Sequence, residues 1–328
     1  MTARAARALL LPLAALYHGA TLARARAYRS GWRRARKLPL PAVAVGNLAV
    51  GGAGKTPIAA WIAAYYARRG LVPGVLLRGY GGDESLVHER LVPEAVVRPN
   101  ADRLAGAEAA RNAGARILVL DDAYQHLGVA RDLNIAVVNT ENARAARWPL
   151  PAGPWREGWG ALDRADLIVV TRRRTTAAEG HRLAAGLAAR WPETPVAVVH
   201  LVIGGFQGLR SGRSVPASRL AGRRVVAAAG IADPASFVVQ VRATGAAVQL
   251  VAYQDHHPYP ARDVERLVRA SGEADYVVVT EKDAVKLRHR WPGDAPEPLV
   301  AALDVVWELN GEAVERALAR VAARAAVS

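Results

Sequence analysis

A glycine-rich loop between an apolar run and a helical pattern constrains the fold of this chain more than any other feature. Residues 46–57 read GNLAVGGAGKTP; they follow the apolar run Pro41–Val45 and precede a helical pattern that begins at Ile58. A strand, a glycine-rich loop and a helix start form the context in which backbone N–H groups bind the phosphates of a nucleotide. The sequence therefore predicts a nucleotide-binding α/β domain.

The loop contains the groups that bind a nucleoside triphosphate. Glycines lack the Cβ atom that would keep the backbone away from phosphate oxygens. Lys55 can reach the β- and γ-phosphates, and Thr56 can ligate Mg²⁺. The strict P-loop pattern has glycine where Ala49 stands, so this is a variant P-loop, and a glycine-rich turn without a ligand is the alternative. The predicted nucleotide-binding residues are Gly51, Gly52, Ala53, Gly54, Lys55 and Thr56.

Composition narrows the class of protein. The chain has 328 residues, which is enough for two domains of ordinary size. It contains no cysteine, so disulfides, zinc–thiolate sites and cysteine nucleophiles are excluded. The formal net charge is +15, and residues 1–40 contain nine Lys or Arg and no Asp or Glu. The excess positive charge is therefore concentrated at the N-terminus.

The N-terminal segment, residues 1–38, combines an apolar stretch with a basic one. Residues 8–23 form 16 nearly uncharged positions, and the basic run Arg24–Lys37 follows. This stretch is shorter than the ~20 residues that span a bilayer as a helix, and Pro12 and Gly19 weaken it further. A secretory signal is rejected because it would send a nucleotide-binding domain to a compartment without ATP. We expect a membrane-associated segment whose arginines contact anionic headgroups; a core-packing helix or a nucleic-acid-binding arm is the alternative.

Short apolar runs alternate with helical patterns along the rest of the chain, as in a mainly parallel sheet covered by helices. The predicted fold is a P-loop NTPase-like α/β domain over residues 39–205, a linker over residues 206–222 and a second, smaller α/β domain over residues 223–328. The last predicted helix is Glu312–Ala326. Strands are predicted near Ala42–Val45, Gly74–Leu77, Ile117–Leu120, Ile135–Val138, Leu167–Val170, Val196–Leu201, Val225–Ala229, Ala247–Val251, Tyr276–Thr280 and Leu299–Ala302.

An acidic pair, Asp121 and Asp122, ends the strand RILVL. A carboxylate at the C-terminal end of a strand beside the P-loop strand is where an NTPase holds Mg²⁺ or the waters that coordinate it. A helix N-cap or turn aspartate is the structural alternative. With a P-loop present, we predict that Thr56, Asp121 and Asp122 form the metal site, with Gln125 and His126 beside it.

Four further segments carry charged groups at the ends of predicted strands or in rigid loops. A metal role for the Asp-His-His triplet is weak without further ligands nearby. In the Thr-Glu-Lys-Asp segment, Lys and Asp are adjacent, which weakens an assignment as a guanine-specificity loop. These segments are RGYGGDE at 78–84, LPAGPWRE at 150–157, DHHPY at 255–259 and TEKD at 280–283.

Together these segments resemble the tetraacyldisaccharide 4'-kinases, the lipid A 4'-kinases of Gram-negative bacteria. The resemblance rests on GNLAVGGAGKTP, RGYGGDE, DD-x-x-QH, LPAGPWRE, GIADP, DHH-x-Y and TEKDAVK, in the family's order from about residue 41 to residue 286. It implies transfer of the γ-phosphoryl group of ATP, with Mg²⁺, to the 4'-hydroxyl of a tetraacyldisaccharide 1-phosphate. It also implies a peripheral or monotopic location on the cytoplasmic face of the inner membrane, contact with anionic lipid and no nucleic-acid partner. The second domain is expected to be Rossmann-like and to complete the active-site cleft.

The resemblance also implies roles for particular residues. Lys55 is the P-loop lysine, and Asp83 is a catalytic base paired with His256. From their charge, Arg78 and Arg156 are expected to neutralise phosphate charge on ATP or on the 1-phosphate of the substrate, and a surface ion pair is the alternative. Gln125 and His126 are further candidate substrate residues. The sequence departs from the family pattern because the segment that usually separates RGYG from GDE is missing. Leu77 stands where serine is usual, and Ala123 and Tyr124 replace the usual Gly-Phe or Gly-Leu.

Two other classes of function fit the same P-loop. One is a P-loop kinase or ligase that acts on a small soluble metabolite, with the N-terminus packed on the protein. The other is a membrane-associated NTPase switch whose output is a conformational change.

Overall fold

The computed structural model describes residues 3–79, 82–143 and 147–325. Tyr80 and Gly81 of the predicted RGYGGDE segment and Ala326 of the last predicted helix lie outside these residues. Contacts divide the chain into two units. The first comprises Met1–Gly79, Leu91–Val199 and Trp307–Ser328, and the second comprises Tyr80–Arg90 and His200–Val306.

Much of the described chain is helical. The α-helices are α1 (Ala3–Arg29), α2 (Lys55–Ala67), α3 (Asp83–Leu91), α4 (Arg103–Asn112), α5 (Thr140–Ala143), α6 (Ala177–Arg190), α7 (Pro234–Ala243), α8 (Ala261–Glu273), α9 (Glu281–Leu287) and α10 (Gly311–Ala325). Short 3₁₀ helices occur at Trp159–Arg164 and Ala217–Leu220.

The strands lie near the predicted positions, with additional short strands at 96–99 and 214–216. They are β1 (Ala42–Asn47), β2 (Pro73–Leu77), β3 (Val96–Pro99), β4 (Ile117–Leu120), β5 (Leu133–Asn139), β6 (Leu167–Arg172), β7 (Val196–Gly208), β8 (Ser214–Pro216), β9 (Arg224–Ala229), β10 (Ala247–Ala252), β11 (Tyr276–Val279) and β12 (Leu299–Leu309).

The first unit is built on a parallel sheet in which the P-loop strand is central. The strand order is β6-β5-β1-β4-β2-β3, and Val43 of β1 lies opposite Val119 of β4 and Leu133 of β5. Each residue of β1, β2 and β4 is buried, as expected for a parallel sheet that helices cover on both faces. Helices α2, α4, α6 and α10 pack on these strands. The expectation of a mainly parallel α/β sheet is confirmed.

The second unit also contains parallel strands, in the order β10-β9-β11-β12, while β8 pairs antiparallel with β7. Alternate residues of β9 point to opposite faces, as the two-residue period of a strand requires. Val225 and Ala227 belong to one apolar cluster with Phe237 of α7. Val226 belongs to another cluster with Leu267 of α8. The unit therefore has a core on each face of its sheet.

The two contact units differ from the predicted domain ranges in several places. Helix α10 groups with the first unit because it packs on β1 and β5. Residues 80–90 group with the second unit. The predicted linker, residues 206–222, contains the end of β7, strand β8 and a 3₁₀ helix. Gly, Ser and Arg in this segment suggested a linker, but its backbone is hydrogen-bonded: Gly208 N donates to Arg213 O at 2.9 Å.

Helix α1 runs through both Pro12 and Gly19 and presents leucines to solvent. Leu9 and Leu16 are 71% and 72% exposed, and Leu13 and Leu22 are also exposed. Among the described residues, no helix is both long enough and apolar enough to cross a membrane. The apolar stretch is therefore helical, with much of its leucine surface outside the core.

Candidate active site

The predicted P-loop joins β1 to α2 with the backbone geometry of a phosphate-binding loop. Gly51 and Gly54 have φ values of 112° and 86°, which side chains rarely tolerate. Gly54 caps α2 without a side-chain hydrogen bond, so within the described part of the chain the cap leaves the first N–H groups of this helix open to a ligand. Free N–H groups and the positive end of the helix dipole together favour an anion at this position.

The LPAGPWRE segment is hydrogen-bonded to the backbone at the start of the P-loop. Val50 N donates to Pro154 O at 2.8 Å, and Arg156 N donates to Leu48 O at 2.8 Å. The LPAGPWRE segment therefore pairs with the start of the P-loop and places the Arg156 side chain beside it.

The Lys55 ammonium contacts two polar side chains. Its Nζ donates to Asn47 Oδ1 at 3.0 Å and lies 3.5 Å from Asp122 Oδ1. Arg156 Nη1 donates to both carboxylate oxygens of Asp122, at 2.8 and 3.0 Å, and lies 3.4 Å from Gln125 Oε1. Two cations thus converge on one carboxylate beside the phosphate-binding loop, in the charge environment that suits a polyphosphate.

Asp121 and Asp122 have different environments. Asp121 is buried, and its Oδ1 accepts a hydrogen bond from Asp122 N at 2.8 Å. Asp122 has a φ of 49° and is bound by Arg156 and Lys55. The oxygen atoms of Thr56, Asp121 and Asp122 are of the kind that a hard cation such as Mg²⁺ prefers, and in this structure Asp122 also contacts two cationic side chains. No cluster of three or more His, Asp or Glu side chains placed to hold a metal occurs in the described parts of the chain.

Two predicted substrate residues follow the acidic pair. Gln125 Nε2 donates to Asn47 O at 2.8 Å, which connects this segment to the end of β1. Burial lowers the pKa of His126 to about 4, and the charges of nearby arginines, among them Arg103, Arg131 and Arg78, add to this effect. His126 is therefore neutral at pH 7 and lies in a strongly basic environment of the first unit.

The loop also borders a pocket with a mainly apolar lining. Asn139 and Asn142 supply amide groups to it, and Trp155 and Trp159 supply aromatic surface. A cavity of this composition is typical of small-molecule binding sites, in which a few polar groups orient the ligand.

In the second unit, Asp83 and His256 form the predicted pair. His256 Nδ1 lies 3.0 Å from Asp83 Oδ2, across a sequence separation of 173 residues. Lys286 Nζ lies 3.0 Å from the same oxygen. Burial raises the pKa of the Asp83 carboxyl, but Lys286 and His256 more than offset this effect, so the pKa lies below its ordinary value. Asp83 is therefore an ionised, buried carboxylate.

The loop that carries His256 has an unusual backbone. His256 and Tyr259 have positive φ values of 61° and 52°, which non-glycine residues seldom adopt. Nε2 of His257 lies 2.8 Å from Oδ2 of Asp263, and the ring stacks on Tyr253 with centroids 4.4 Å apart. The second histidine of the triplet thus supports the loop, while the first contacts Asp83.

The TEKD segment forms the start of α9. The hydroxyl of Thr280 donates to Asp283 Oδ2 at 2.6 Å, and Gly230 N donates to Asp283 Oδ1 at 3.1 Å. Burial raises the pKa of Asp283. Asp283 therefore connects the GIADP and TEKD segments inside the second unit, so both motifs have a structural role here.

Sequence reasoning did not identify three residues of these sites. Asn47 binds Lys55, the Thr171 hydroxyl donates to Ala53 O at 2.8 Å and so holds the P-loop backbone, and Lys286 contacts Asp83. Asn47 lies inside the glycine-rich motif, and Lys286 lies inside TEKDAVK, so both were visible in the sequence. Thr171 lies near the end of the buried strand β6, and no sequence motif indicated its contact with the P-loop.

Comparison with known proteins agrees with the motifs. The family model for tetraacyldisaccharide-1-P 4'-kinase matches residues 6–89 and 81–323. The chain belongs to the tetraacyldisaccharide-1-P 4'-kinase family. Within this family it is 39% identical to the tetraacyldisaccharide 4'-kinase of Aromatoleum aromaticum, over 85% of this chain and 84% of that protein. It is also 39% identical to that of an Azoarcus species, over 97% of this chain and 93% of the relative.

A solved structure of the tetraacyldisaccharide-1-P 4'-kinase family has a similar fold. It is the LpxK of Aquifex aeolicus in complex with ATP, with a TM-score of 0.75 and 25% sequence identity, and the match covers 96% of this chain and 99% of that one. The family resemblance drawn from the motifs is therefore confirmed along nearly the whole chain.

Proposed function

We propose that this chain is an ATP-dependent kinase that phosphorylates the 4'-hydroxyl of a tetraacyldisaccharide 1-phosphate in lipid A biosynthesis. The observation that carries the proposal is membership of the tetraacyldisaccharide-1-P 4'-kinase family along nearly the whole chain, together with a glycine-rich phosphate-binding loop at the start of α2. An alcohol acceptor and ATP make the enzyme a phosphotransferase.

The first unit binds ATP in this proposal. The N–H groups of residues 51–56 hold the phosphates, and Lys55 leaves Asn47 and Asp122 to contact the β- and γ-phosphates. Thr56 and Asp121, with Asp122 beside them, would hold Mg²⁺, which would neutralise charge on the phosphate oxygens. Arg156 pairs with Asp122, and this weakens the attraction of Asp122 for Lys55, so that Lys55 can bind the phosphates. The apolar pocket with Trp155 and Trp159 suits the base of the nucleotide.

Asp83 and His256 take up the proton of the acceptor. As the 4'-oxygen bonds to the γ-phosphorus, the bond between that phosphorus and the β,γ-bridging oxygen breaks and ADP leaves. The hydroxyl proton passes to the Asp83–His256 pair. The side chain of His256 is 47% exposed, whereas that of Asp83 is 5% exposed. The imidazole of His256 is therefore the member of the pair that faces solvent and substrate, and the Asp83 carboxylate orients it.

The N-terminus attaches the enzyme to the cytoplasmic face of the inner membrane. Its support is the exposed leucine surface of α1, the 81% exposed Trp32 and the basic run that follows the apolar stretch. Leucine and tryptophan enter the interface while arginines contact anionic headgroups. A substrate with four acyl chains stays in the bilayer, so an enzyme attached there reaches it directly.

The test of function uses γ-labelled ATP, Mg²⁺ and detergent-dispersed tetraacyldisaccharide 1-phosphate. We expect label in the lipid with the wild-type protein and strongly reduced label with Lys55→Ala and Asp83→Asn. Absence of lipid label from a folded, ATP-binding protein would refute the lipid kinase assignment. Label in a soluble metabolite would identify the small-molecule kinase, and lipid-independent hydrolysis of ATP would identify the NTPase switch.

Membrane attachment is tested separately by vesicle sedimentation. We expect the protein to bind vesicles that contain anionic lipid, and a Leu9→Asp, Leu16→Asp double variant to bind less while it still phosphorylates detergent-dispersed substrate. Equal binding of both proteins would refute the assigned role of α1.

A further inference from the structure

The segment TEKDAVK does more in this structure than begin a helix, because it joins α9 to α3. Among the described residues, the two helices are connected by the ion pairs Arg90–Glu281 at 2.6 Å, Lys282–Glu84 at 3.7 Å and Lys286–Asp83 at 3.0 Å. Of these three pairs, the one formed by Lys286 reaches the carboxylate assigned to catalysis. The other two hold the same pair of helices without touching Asp83.

The contact between Lys286 and Asp83 is shielded from water. Their side chains are 13% and 5% exposed. Charges interact more strongly where water is excluded, and a buried carboxylate that loses its cation is left with an uncompensated charge. The positive charge of Lys286 therefore strongly favours the ionised form of the Asp83 carboxyl.

Lys286 and His256 contact the same oxygen of Asp83. Nζ and Nδ1 each lie 3.0 Å from Oδ2. Asp83 Oδ1 is buried and has no hydrogen-bond partner among the residues that the structure describes. The Lys286 ammonium forms an ion pair with Oδ2 without hydrogen-bond geometry. Its charge therefore favours the carboxylate orientation that keeps Oδ2 between Lys286 and the histidine ring.

We propose that Lys286 is a positioning residue for phosphoryl transfer, whose ammonium keeps the Asp83 carboxylate ionised and oriented toward His256. This role rests on the proposed kinase function, in which the Asp83–His256 pair takes up the proton of the acceptor. Lys286 acts through Asp83 and does not itself contact the reacting atoms.

The proposal predicts a change in the pH dependence of the pair. A cation 3.0 Å from the shared oxygen disfavours a proton on either member, so the pair titrates as one system at a lower pH with Lys286 than without it. Other charged or titratable groups lie on the same elements of the described chain: Glu84, His88 and Arg90 on α3, Asp255 beside His256, and Glu281, Lys282 and Asp283 on α9. Replacing Lys286 by a neutral residue should move the acid limb of kcat/KM upward by about 1 pH unit.

The experiment compares Lys286→Gln with the matched control Lys282→Gln. Both changes remove one positive charge from α9 and one ion pair to α3, but Lys282 pairs with Glu84 and not with Asp83. The pH profile of kcat/KM is measured for each, with Lys286→Arg as the variant that retains the charge. We expect the acid limb to shift in Lys286→Gln, to stay in place in Lys282→Gln and to return towards its wild-type position in Lys286→Arg.

A wild-type acid limb in Lys286→Gln, with only lower thermal stability, would show that Lys286 is purely structural. Lys286→Met keeps an unbranched side chain of similar length and serves as a second neutral variant if Lys286→Gln does not fold. The imidazole of His256 is also titrated by NMR in each purified protein, without substrate. This titration tests Lys286 even if the wild-type protein does not phosphorylate lipid, so failure of the inference and failure of the proposed function give different results.

Discussion

A methyl group added at Gly46 should damage the first unit more than its size suggests. An alanine Cβ at this position would lie 2.7 Å from both Cβ and N of Tyr124. Carbon atoms in contact are normally ~3.5–4.0 Å apart, so the neighbouring atoms must separate by about 1 Å. The obstructing atoms include backbone, which cannot rotate away. Tyr124 is also fully buried and donates to Ala161 O at 2.7 Å.

The expected cost of Gly46→Ala follows from this geometry. Overpacking a rigid core typically costs ~1–3 kcal/mol, and a clash with backbone belongs at the upper end, near ~3 kcal/mol. The strain lies between β1 and the segment after Asp122, which are joined by a hydrogen bond from Ala123 N to Val45 O of 2.9 Å. Because the P-loop begins where β1 ends, we also expect weaker binding of ATP.

The control is Gly186→Ala, within helix α6. Gly186 is exposed, and nothing lies within 4 Å of an added Cβ. Alanine should therefore stabilise this helix by up to ~1 kcal/mol. Both variants are unfolded in urea while tryptophan fluorescence is recorded, since Trp155 and Trp191 belong to the same core cluster as Tyr124. A Gly46→Ala protein within ~0.5 kcal/mol of the wild type would refute the packing argument.

Three further predictions concern single side chains. Arg156→Ala removes the arginine that pairs with Asp122, so Asp122 can bind Lys55 more tightly. The KM for ATP should then rise about tenfold or more, in line with the ~1.5–3 kcal/mol of a hydrogen bond to a charged group. An unchanged KM in steady-state kinetics would contradict this. The His126 pKa of about 4 lies below the ~6.5 of an unfolded chain, so the unfolded state binds the proton first as the pH falls. The free energy of unfolding therefore decreases as the pH drops from about 6.5 towards about 4. His126→Gln should reduce this decrease in urea titrations at pH 7 and pH 5, and an unaltered pH dependence would exclude the effect. Thr176→Ala removes a capping box with Glu179 and should cost ~1 kcal/mol of unfolding free energy in urea titrations, with an unchanged midpoint as the opposing result.

The parts of the site that depend on neighbouring residues in the chain were predictable. GNLAVGGAGKTP indicates a strand, a loop with left-handed glycines and a helix start, and the structure has β1, Gly51 and Gly54 at positive φ, and α2 in these places. Asp121 and Asp122 were expected beside the loop because the C-terminal ends of neighbouring parallel strands meet at one sheet edge, and β4 does pair with β1.

Charge partners were harder to predict. The sequence indicated two metal-binding aspartates, but in the structure Arg156 and Lys55 both contact Asp122. Arg156 is 34 residues from Asp122, and a loop that pairs with the P-loop brings it there. No local pattern specifies which of many arginines a given carboxylate meets.

The sequence by itself determined the nucleotide-binding loop, the alternation of strands and helices, the family and the uneven distribution of charge. Backbone geometry at glycines and helix starts is set by contiguous residues, so these features can be read directly from the chain. Only the tertiary structure decided that α10 packs on β1 and β5, and that Lys286 joins the Asp83–His256 pair at one carboxylate oxygen. Such contacts join residues far apart in the chain, and they form only when the packing of whole helices and strands has fixed the path between them.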